Sequence, residues 1–488
     1  MNMKGGKPLG KKKKTKNDGI IISFVDEPAS EQVTGSMLYI ETSNHKILVE
    51  AGLSQTNNTK EDYLTNNRKF KEFKPKDIDI IYTIHNHSDH FLEIPRLFRD
   101  GFDGVVIAPE KSKMIQKIMY EDCVKINEKD IEFLNAQNGT KYKPLYSMED
   151  VQTTLEHTLE KPIGEIVYID DTLSFKYVPS GHLLQGCQLL LYITENNVKK
   201  TILITSDIGN DKVKNRYVGS LEYVEKADIV IGESTYGNRP ELKVREKERK
   251  NDYDKLLSVI DTQVYDLKGR VIIPVFAQSR AQVVATMIYE LYKNKEWQPK
   301  VYIDSPLSIR IFHAYSELLE GEDKEIFDEL MKWDNLIFVQ DAEASMALVE
   351  SDEPCVILST NGFCTKGRIR HHLKKVIPDS NSTILFCGYT SPNSLGGILR
   401  DPKCKSITID QKSYTCRCSV YNLKSLSGHA MFETLIAYYS SIQCTKIILH
   451  HGDKEQKETL ASALKKELEK KCKSTRVVIA NSSLKFTL

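Results

Sequence analysis

Apolar residues along the chain follow two successive rhythms. From Gly19 onward the runs GIIISFV, GSMLYIET and HKILVEAG are short, β-branched or aliphatic, and separated by turn formers, which predicts a β meander. The next apolar run, Asp77 to Thr83, stops abruptly at IHNHSDHF and is followed by a helical pattern. TLSFKYVPSGH, TILITSDIG and ADIVIGESTYG repeat the same logic, each a strand-like run whose C-terminal end carries His, Asp or Glu. Between about Asn238 and Pro402 the rhythm changes to strands alternating with longer helical stretches, as in GRVIIPVFA followed by SRAQVVATMIYELYKN, which predicts a separate parallel α/β unit. Polar strand ends return in LSGHAMFETLIAYYSSI and TKIILHHGD. The predicted organisation is a tail (1–18), a first domain (19–237), an inserted α/β domain (238–408) and the completion of the first domain (409–488).

A chain of 488 residues exceeds what one hydrophobic core supports, so more than one domain is expected. Lys+Arg 68 against Asp+Glu 67 leaves a net charge of +1, too small for the molecule as a whole to be drawn to nucleic acid by its field. The lysines at positions 4, 7, 11, 12, 13, 14 and 16, without apolar periodicity, predict a disordered basic tail. No stretch is apolar enough to span a membrane and no secretory signal is visible, so a cytoplasmic protein without a membrane partner is expected. The ten cysteines are scattered and form no C-x-x-C pair, and the spacing of Cys404, Cys416 and Cys418 fits no common zinc module. Neither G-x-G-x-x-G after a strand nor a phosphate-binding G-x-x-x-x-G-K motif occurs, so no nucleotide cofactor is expected.

The dense chemistry is in His85-Asn86-His87-Ser88-Asp89-His90, three imidazoles and a carboxylate within six residues directly after a strand. Nitrogen and carboxylate donors suit zinc, and the lack of thiolates points to a catalytic rather than a structural site. A pair of ions needs more ligands than one loop supplies. His182, Asp207 and His451 are candidates, each at the end of an apolar run. His450 and His451 are adjacent on a strand and face opposite ways, so only one can bind.

Together these segments resemble the metallo-β-lactamase fold hydrolases, and within them the β-CASP nucleases. The resemblance rests on HNHSDH, the SGH ending at His182, Asp207 in TSD, Glu233 in GESTYG, His429 in SGHA and His451 in HHGD. It implies an αββα sandwich interrupted by a parallel α/β β-CASP cap. It also implies two Zn2+ per chain, one on His85, His87 and His182, the other on Asp89, His90 and His451, with Asp207 bridging. Asp89, His429 and Glu233 would be the catalytic group, His429 giving or positioning the leaving-group proton and Glu233 orienting it. The substrate implied is single-stranded RNA, cut endonucleolytically to leave a 5′-phosphate and a 3′-hydroxyl, with 5′ to 3′ exonuclease activity as a variant. Ser359, Thr365 and Ser394, in the cap loops STNGFCTKG and TSPNSLGG, are expected to offer donors to phosphates.

Three features depart from the family pattern. Glu50 stands in LVEAG where the family has Asp, in the position that supports the metal loop from behind. Phe91, Leu92 and Glu93 replace small residues after the loop, and Met431 replaces a common Asp. The alternatives to a ribonuclease are a DNA nuclease, another hydrolase of the same fold, or a weakly active RNA-binding scaffold. A homodimer or pairing with a related subunit is the default expectation.

Overall fold

The computed structural model describes residues 19–56, 58–210, 215–239, 242–481 and 484–488; the basic tail expected over 1–18 lies outside the described residues. The chain divides into two units, the first comprising Met1–Lys214, Val218–Leu242 and Gly428–Leu488, the second Asn215–Tyr217 and Lys243–Ser427.

In the first unit the short apolar runs become strands of two seven-stranded sheets. One contains β1 (Ile21–Phe24), β2 (Leu38–Glu41), β3 (Lys46–Val49), β4 (Ile80–Tyr82), β5 (Val105–Pro109) and β6 (Thr158–Lys161) in that order. The other contains β7 (Ile166–Tyr168), β8 (Leu173–Pro179), β9 (Cys187–Glu195), β10 (Val198–Ile204) and β11 (Ile229–Gly232). Alternation along the strands decides the layers. In β3, Ile47 and Val49 face the other sheet and join Phe175, Leu189 and Ile204 in one core, while Leu48 faces outward into a second core. The helices Lys113–Asn138 and Met148–Glu156 supply Tyr120, Val124, Val151 and Leu155 to that second core. Helices Phe432–Ser441 and Lys454–Lys470 cover the other sheet through Leu435, Tyr438, Leu460 and Leu464. The result is the αββα sandwich.

The second unit is built on β12 (Arg270–Pro274), β13 (Val301–Asp304), β14 (Leu336–Phe338), β15 (Cys355–Ser359) and β16 (Thr383–Phe386), all parallel. Its central strands β12 and β15 are buried at every position, as parallel strands covered on both faces must be. A hairpin of β17 (Ser406–Ile409) and β18 (Lys412–Thr415) follows, then β19 (Ser419–Asn422), which pairs with β16. The return to the first unit therefore falls at Gly428, later than the boundary at 409 expected from the sequence. SVYN offers only two apolar residues, too short a run to be assigned from periodicity. The chain then adds β20 (Lys446–Leu449) and β21 (Arg476–Ile479) beside β11, and β22 (Lys485–Thr487) beside β1. Among the described residues no helix is long and apolar enough to cross a membrane. All ten cysteines are free thiols.

Candidate metal centre

Strand direction brings the polar strand ends together. β10, β11 and β20 run parallel, and β8 runs the same way through antiparallel β9, so His182, Asp207, Glu233 and His451 emerge at one edge of their sheet. In the facing sheet β3 and β4 are parallel and deliver Glu50 and the His85–His90 loop. Gly52 lets that loop lie against the end of β3: a Cβ there would sit 1.6 Å from the carbonyl oxygen of Asp89. Glu50, Ser206 and His451 all adopt positive φ (63°, 49° and 48°), a left-handed conformation costly for non-glycine residues and concentrated here at three strand ends of one site.

Asp207 is the centre of the arrangement. Its Oδ2 lies 3.4 Å from His182 Nε2, 3.6 Å from the Nε2 atoms of His85 and His90, and 4.0 Å from His87 Nδ1. Its Oδ1 lies 3.1 Å from His451 Nδ1. Asp89 Oδ2 is 3.7 Å from His451 Nε2 and 3.8 Å from His90 Nε2. Most of these separations exceed a hydrogen bond. They match donors sharing an ion, since a tetrahedral zinc with bonds of about 2.1 Å places its ligand atoms about 3.4 Å apart. The Nε2 atoms of His85, His90 and His451 are buried and make no hydrogen bond, a costly state unless something else occupies their lone pairs. Among the described residues four overlapping groups could hold a metal ion: His85–His87–His182–Asp207 and Asp89–His90–His451, which match the expected ligand sets, and Glu50–His85–His90 and Asp207–Glu233–His451, which share their members. His450 is in none of them; its ring packs 5.4 Å from Phe24.

The electrostatics suit cations. Burial pushes the imidazoles of His85 and His182 down, helped by His90 and His429 respectively, so both present neutral lone pairs. Burial opposes ionisation of Asp207, but His451, His90, His429 and His182 hold its carboxyl well below the usual range. His90 runs the other way: against its burial, Glu50, Asp207 and Asp89 push it up to about 10. A proton there balances carboxylates that a divalent cation would balance equally well, so cations and protons compete for this site.

Glu50 reaches the loop from behind. Its Oε2 is 2.8 Å from His90 Nδ1 and accepts from the Ser36 hydroxyl at 2.7 Å. Its Oε1 accepts from Ser206 at 2.5 Å, and Ser206 Oγ is 3.1 Å from His85 Nδ1. The longer side chain thus spans two imidazoles and is clasped by two hydroxyls. Ser36 and Ser206 escaped the sequence reading, as did Thr235, whose Oγ1 is 3.2 Å from His451 Nδ1. Only adjacency to Asp207 and Glu233 in the motifs could have flagged Ser206 and Thr235.

His429 Nδ1 lies 3.5 Å from Glu233 Oε2 and 3.9 Å from Asp207 Oδ2. Although burial opposes it, Asp207 and Glu233 push His429 up to about 9. Glu233 is itself fixed by the backbone N–H groups of Ile208 (2.8 Å) and Thr235 (3.2 Å). Gly428, next to His429, packs closely on the His182 ring: a Cβ there would come within 3.2 Å of it. The side chains of His87, Asp89 and His429 keep 33%, 23% and 20% of their surface, so the cluster opens to solvent at these three.

The departures from the family pattern are packed rather than loose. Phe91 and Leu92 are buried in the outer core, with Phe91 edge-on to Tyr120 at 5.0 Å. Glu93 is buried and pairs with Arg68 and Arg96. Met431 starts the helix Phe432–Ser441 without a side-chain cap, and Asn210 Oδ1 accepts its backbone N–H instead.

The three hydroxyls expected to meet phosphates in the second unit each have a partner within the fold. Ser359 is fully buried and donates to the carbonyl of Asp304, and Ser394 caps the helix Leu395–Leu399 by accepting from Gly397 N–H. Thr365 Oγ1 accepts from Asn361 Nδ2. The first two hydroxyls are committed inside the fold because they close the strand end and the helix start.

The Beta-Casp domain family matches residues 281–399, and the Zn-dependent metallo-hydrolase RNA specificity domain matches residues 413–475. Ribonuclease TTHA0252 of Thermus thermophilus is 29% identical over 446 residues, covering 89% of this chain and 94% of the relative. The transcription termination factor FttA of Methanocaldococcus jannaschii is 28% identical over 459 residues, covering 90% of this chain and 67% of the relative. The crystal structure of a protein of unknown function from Enterococcus faecalis superposes with a TM-score of 0.52 at 12% identity, covering 96% of this chain and all of that one, which shows a shared fold. The chain thus carries a Beta-Casp domain followed by a Zn-dependent metallo-hydrolase RNA specificity domain, and over nearly its whole length it is similar to a ribonuclease.

Proposed function

We propose that the chain is a zinc-dependent ribonuclease that hydrolyses phosphodiester bonds of single-stranded RNA, acting as an endonuclease and leaving a 5′-phosphate and a 3′-hydroxyl. The observation that carries this reading is the placement of Asp207, whose Oδ2 lies 3.6 and 3.4 Å from the Nε2 atoms of His85 and His182 in one cluster and 3.6 Å from His90 Nε2 in the other. Such a bridge fits two ions rather than one. His85, His87 and His182 would hold one zinc, Asp89, His90 and His451 the other, with Asp207 shared. Zinc held by these residues would supply an acidified water as nucleophile and positive charge for the charge that develops on phosphate.

The chain's own groups account for the rest. His429 stands at the open side, and Glu233 behind it favours the protonated imidazole, the form that can pass a proton to a departing ribose oxygen. Glu233 keeps the ring oriented because two backbone N–H groups fix its carboxylate. Two relatives carry names that place them in RNA cleavage and in transcription termination, and both roles involve RNA. The noncatalytic scaffold reading has little support, because all seven ligand positions and both proton-handling groups are present and adjacent.

The test is cleavage of end-labelled RNA beside single-stranded DNA and a generic ester, with metal content measured on the same preparation. The proposal expects about two zinc per chain and RNA cleavage abolished by a chelator. Intact RNA at full zinc occupancy would sink it.

A further inference from the structure

The second unit closes three neighbouring strands with loops of unusual composition. After β12 the chain reads VFAQSR (275–280), after β15 TNGFCTKG (360–367), and after β16 CGYTSPNSLGG (387–397). None of these loops contains Asp or Glu, while Arg280 and Lys366 lie in them. β12 is flanked by β15 and β16, with Pro274 opposite Ser359 and Ile272 opposite Ile384, so the loops leave the sheet side by side. From β12 the chain moves to β13 on one side and later reaches β16 on the other. In open parallel sheets the crevice at such a reversal, beyond the carboxyl ends of the strands, is where ligands bind.

Each loop contributes one aromatic ring, and the rings form a row. Phe276 meets Phe363 edge to face at 5.3 Å, and Phe363 meets Tyr389 at 6.4 Å and 90°. Phe276 and Tyr389 remain 37% and 50% exposed. The row is seated on glycines: a Cβ at Gly362 would be 3.2 Å from Phe276 Cε2, and one at Gly388 3.6 Å from the same atom. Backbone therefore supports Phe276 from beneath while ring surface stays open. Positive charge gathers at the same place. Arg400 Nη1 donates to the carbonyl of Gly388 at 2.8 Å, and Arg280 Nε is 4.0 Å from where a Gly388 Cβ would stand.

Open aromatic rings beside cations, with no carboxylate in the surrounding loops, match a polymer of flat bases on a phosphate backbone. We infer that Phe276, Phe363 and Tyr389 form a base-stacking platform for single-stranded RNA, with Arg280, Lys366 and Arg400 supplying positive charge towards its phosphates. The inference rests on the ribonuclease reading above. It moves recognition in this unit from the hydroxyls of Ser359 and Ser394 to the rings next to them.

The test is equilibrium binding of a labelled single-stranded RNA to the full chain carrying Asp89→Asn, which keeps the strand from being cut. Tyr389→Leu is expected to weaken binding about tenfold, the effect of losing one base–aromatic stack, and Tyr389→Trp to retain it. An abasic strand of the same length should not distinguish Tyr389 from Tyr389→Leu. If Tyr389→Leu and Phe363→Leu both bind RNA as tightly as the parent, the platform is wrong while the ribonuclease reading stands. If the parent binds no single-stranded RNA at all, both fall.

Discussion

Glu50 holds His90 from behind, its Oε2 2.8 Å from the imidazole Nδ1, and through Ser206 it also steadies His85. The side chain that looks like a substitution of the usual Asp is therefore matched to its surroundings, and shortening it is predicted to be harmful. Glu50→Asp pulls the carboxylate back by one methylene and cannot keep His90, Ser36 and Ser206 together. Groups that orient metal ligands typically cost 10- to 100-fold in affinity or activity when altered. A drop of about tenfold in zinc affinity is expected for Glu50→Asp, measured by competition with a chromogenic chelator; unchanged affinity would mean that Glu50 plays no positioning part.

His429 should separate chemistry from metal binding. His429→Ala is expected to retain the zinc content of the parent and lose about 100- to 10,000-fold in kcat on RNA, the usual range for a proton-transfer group. The parent's kcat should also decline as rising pH removes the acid form of the imidazole, and His429→Ala should lack that limb. A variant that loses zinc as well would reassign His429 to the metal shell.

Gly52 carries a steric prediction. A methyl group at this position would lie 1.6 Å from the Asp89 carbonyl, so Gly52→Ala must push the metal loop away from the end of β3. Expected are reduced zinc content and a lower melting temperature, both read on one purified sample. Parental values for both would show that the loop approaches β3 less closely than described.

In the second unit Asp304 is buried, and its carboxylate meets His372 Nε2 at 2.6 Å, Arg368 Nη1 at 2.7 Å and Ser345 Oγ at 2.7 Å. Burial opposes ionisation, but these partners hold its carboxyl below the ordinary value. A depressed folded-state pKa gives stability that is present above the unfolded value of about 3.9 and is lost as pH falls through the lower folded value. Asp304→Asn should cost about 2 kcal/mol at neutral pH and flatten the loss of stability below about pH 4. Denaturant melts across that range decide it; an acid limb as steep in the variant would place the titrating group elsewhere.

The metal loop was legible because its ligands are contiguous, His85 to His90, and follow an apolar run that could only be a strand. His182, Asp207 and His451 were legible by a repeated placement at strand ends, which the common direction of β8, β10 and β20 within their sheet turns into proximity. Glu233 closes a strand-like run in the same way, but its role, and His429 altogether, were accessible only through family resemblance, since a lone His in a loop carries no signal of its own. The hydroxyls behind the ligands were not legible at all: Ser206 and Glu50 are 156 residues apart, and nothing local marks their contact. The same limit applies to β19, whose four residues gain their place only by pairing with β16. In the second unit the Gly- and Ser-rich loops suggested hydroxyl donors, yet folding consumes Ser359 and Ser394 and leaves the aromatic rings exposed.

The most direct measurement compares the parent with Asp89→Asn on one defined single-stranded RNA and identifies both new ends at each cut. The account predicts cuts with 5′-phosphate and 3′-hydroxyl termini in the parent only, and intact RNA with Asp89→Asn. Cleavage that survives Asp89→Asn, or 2′,3′-cyclic phosphate ends in the parent, would contradict it.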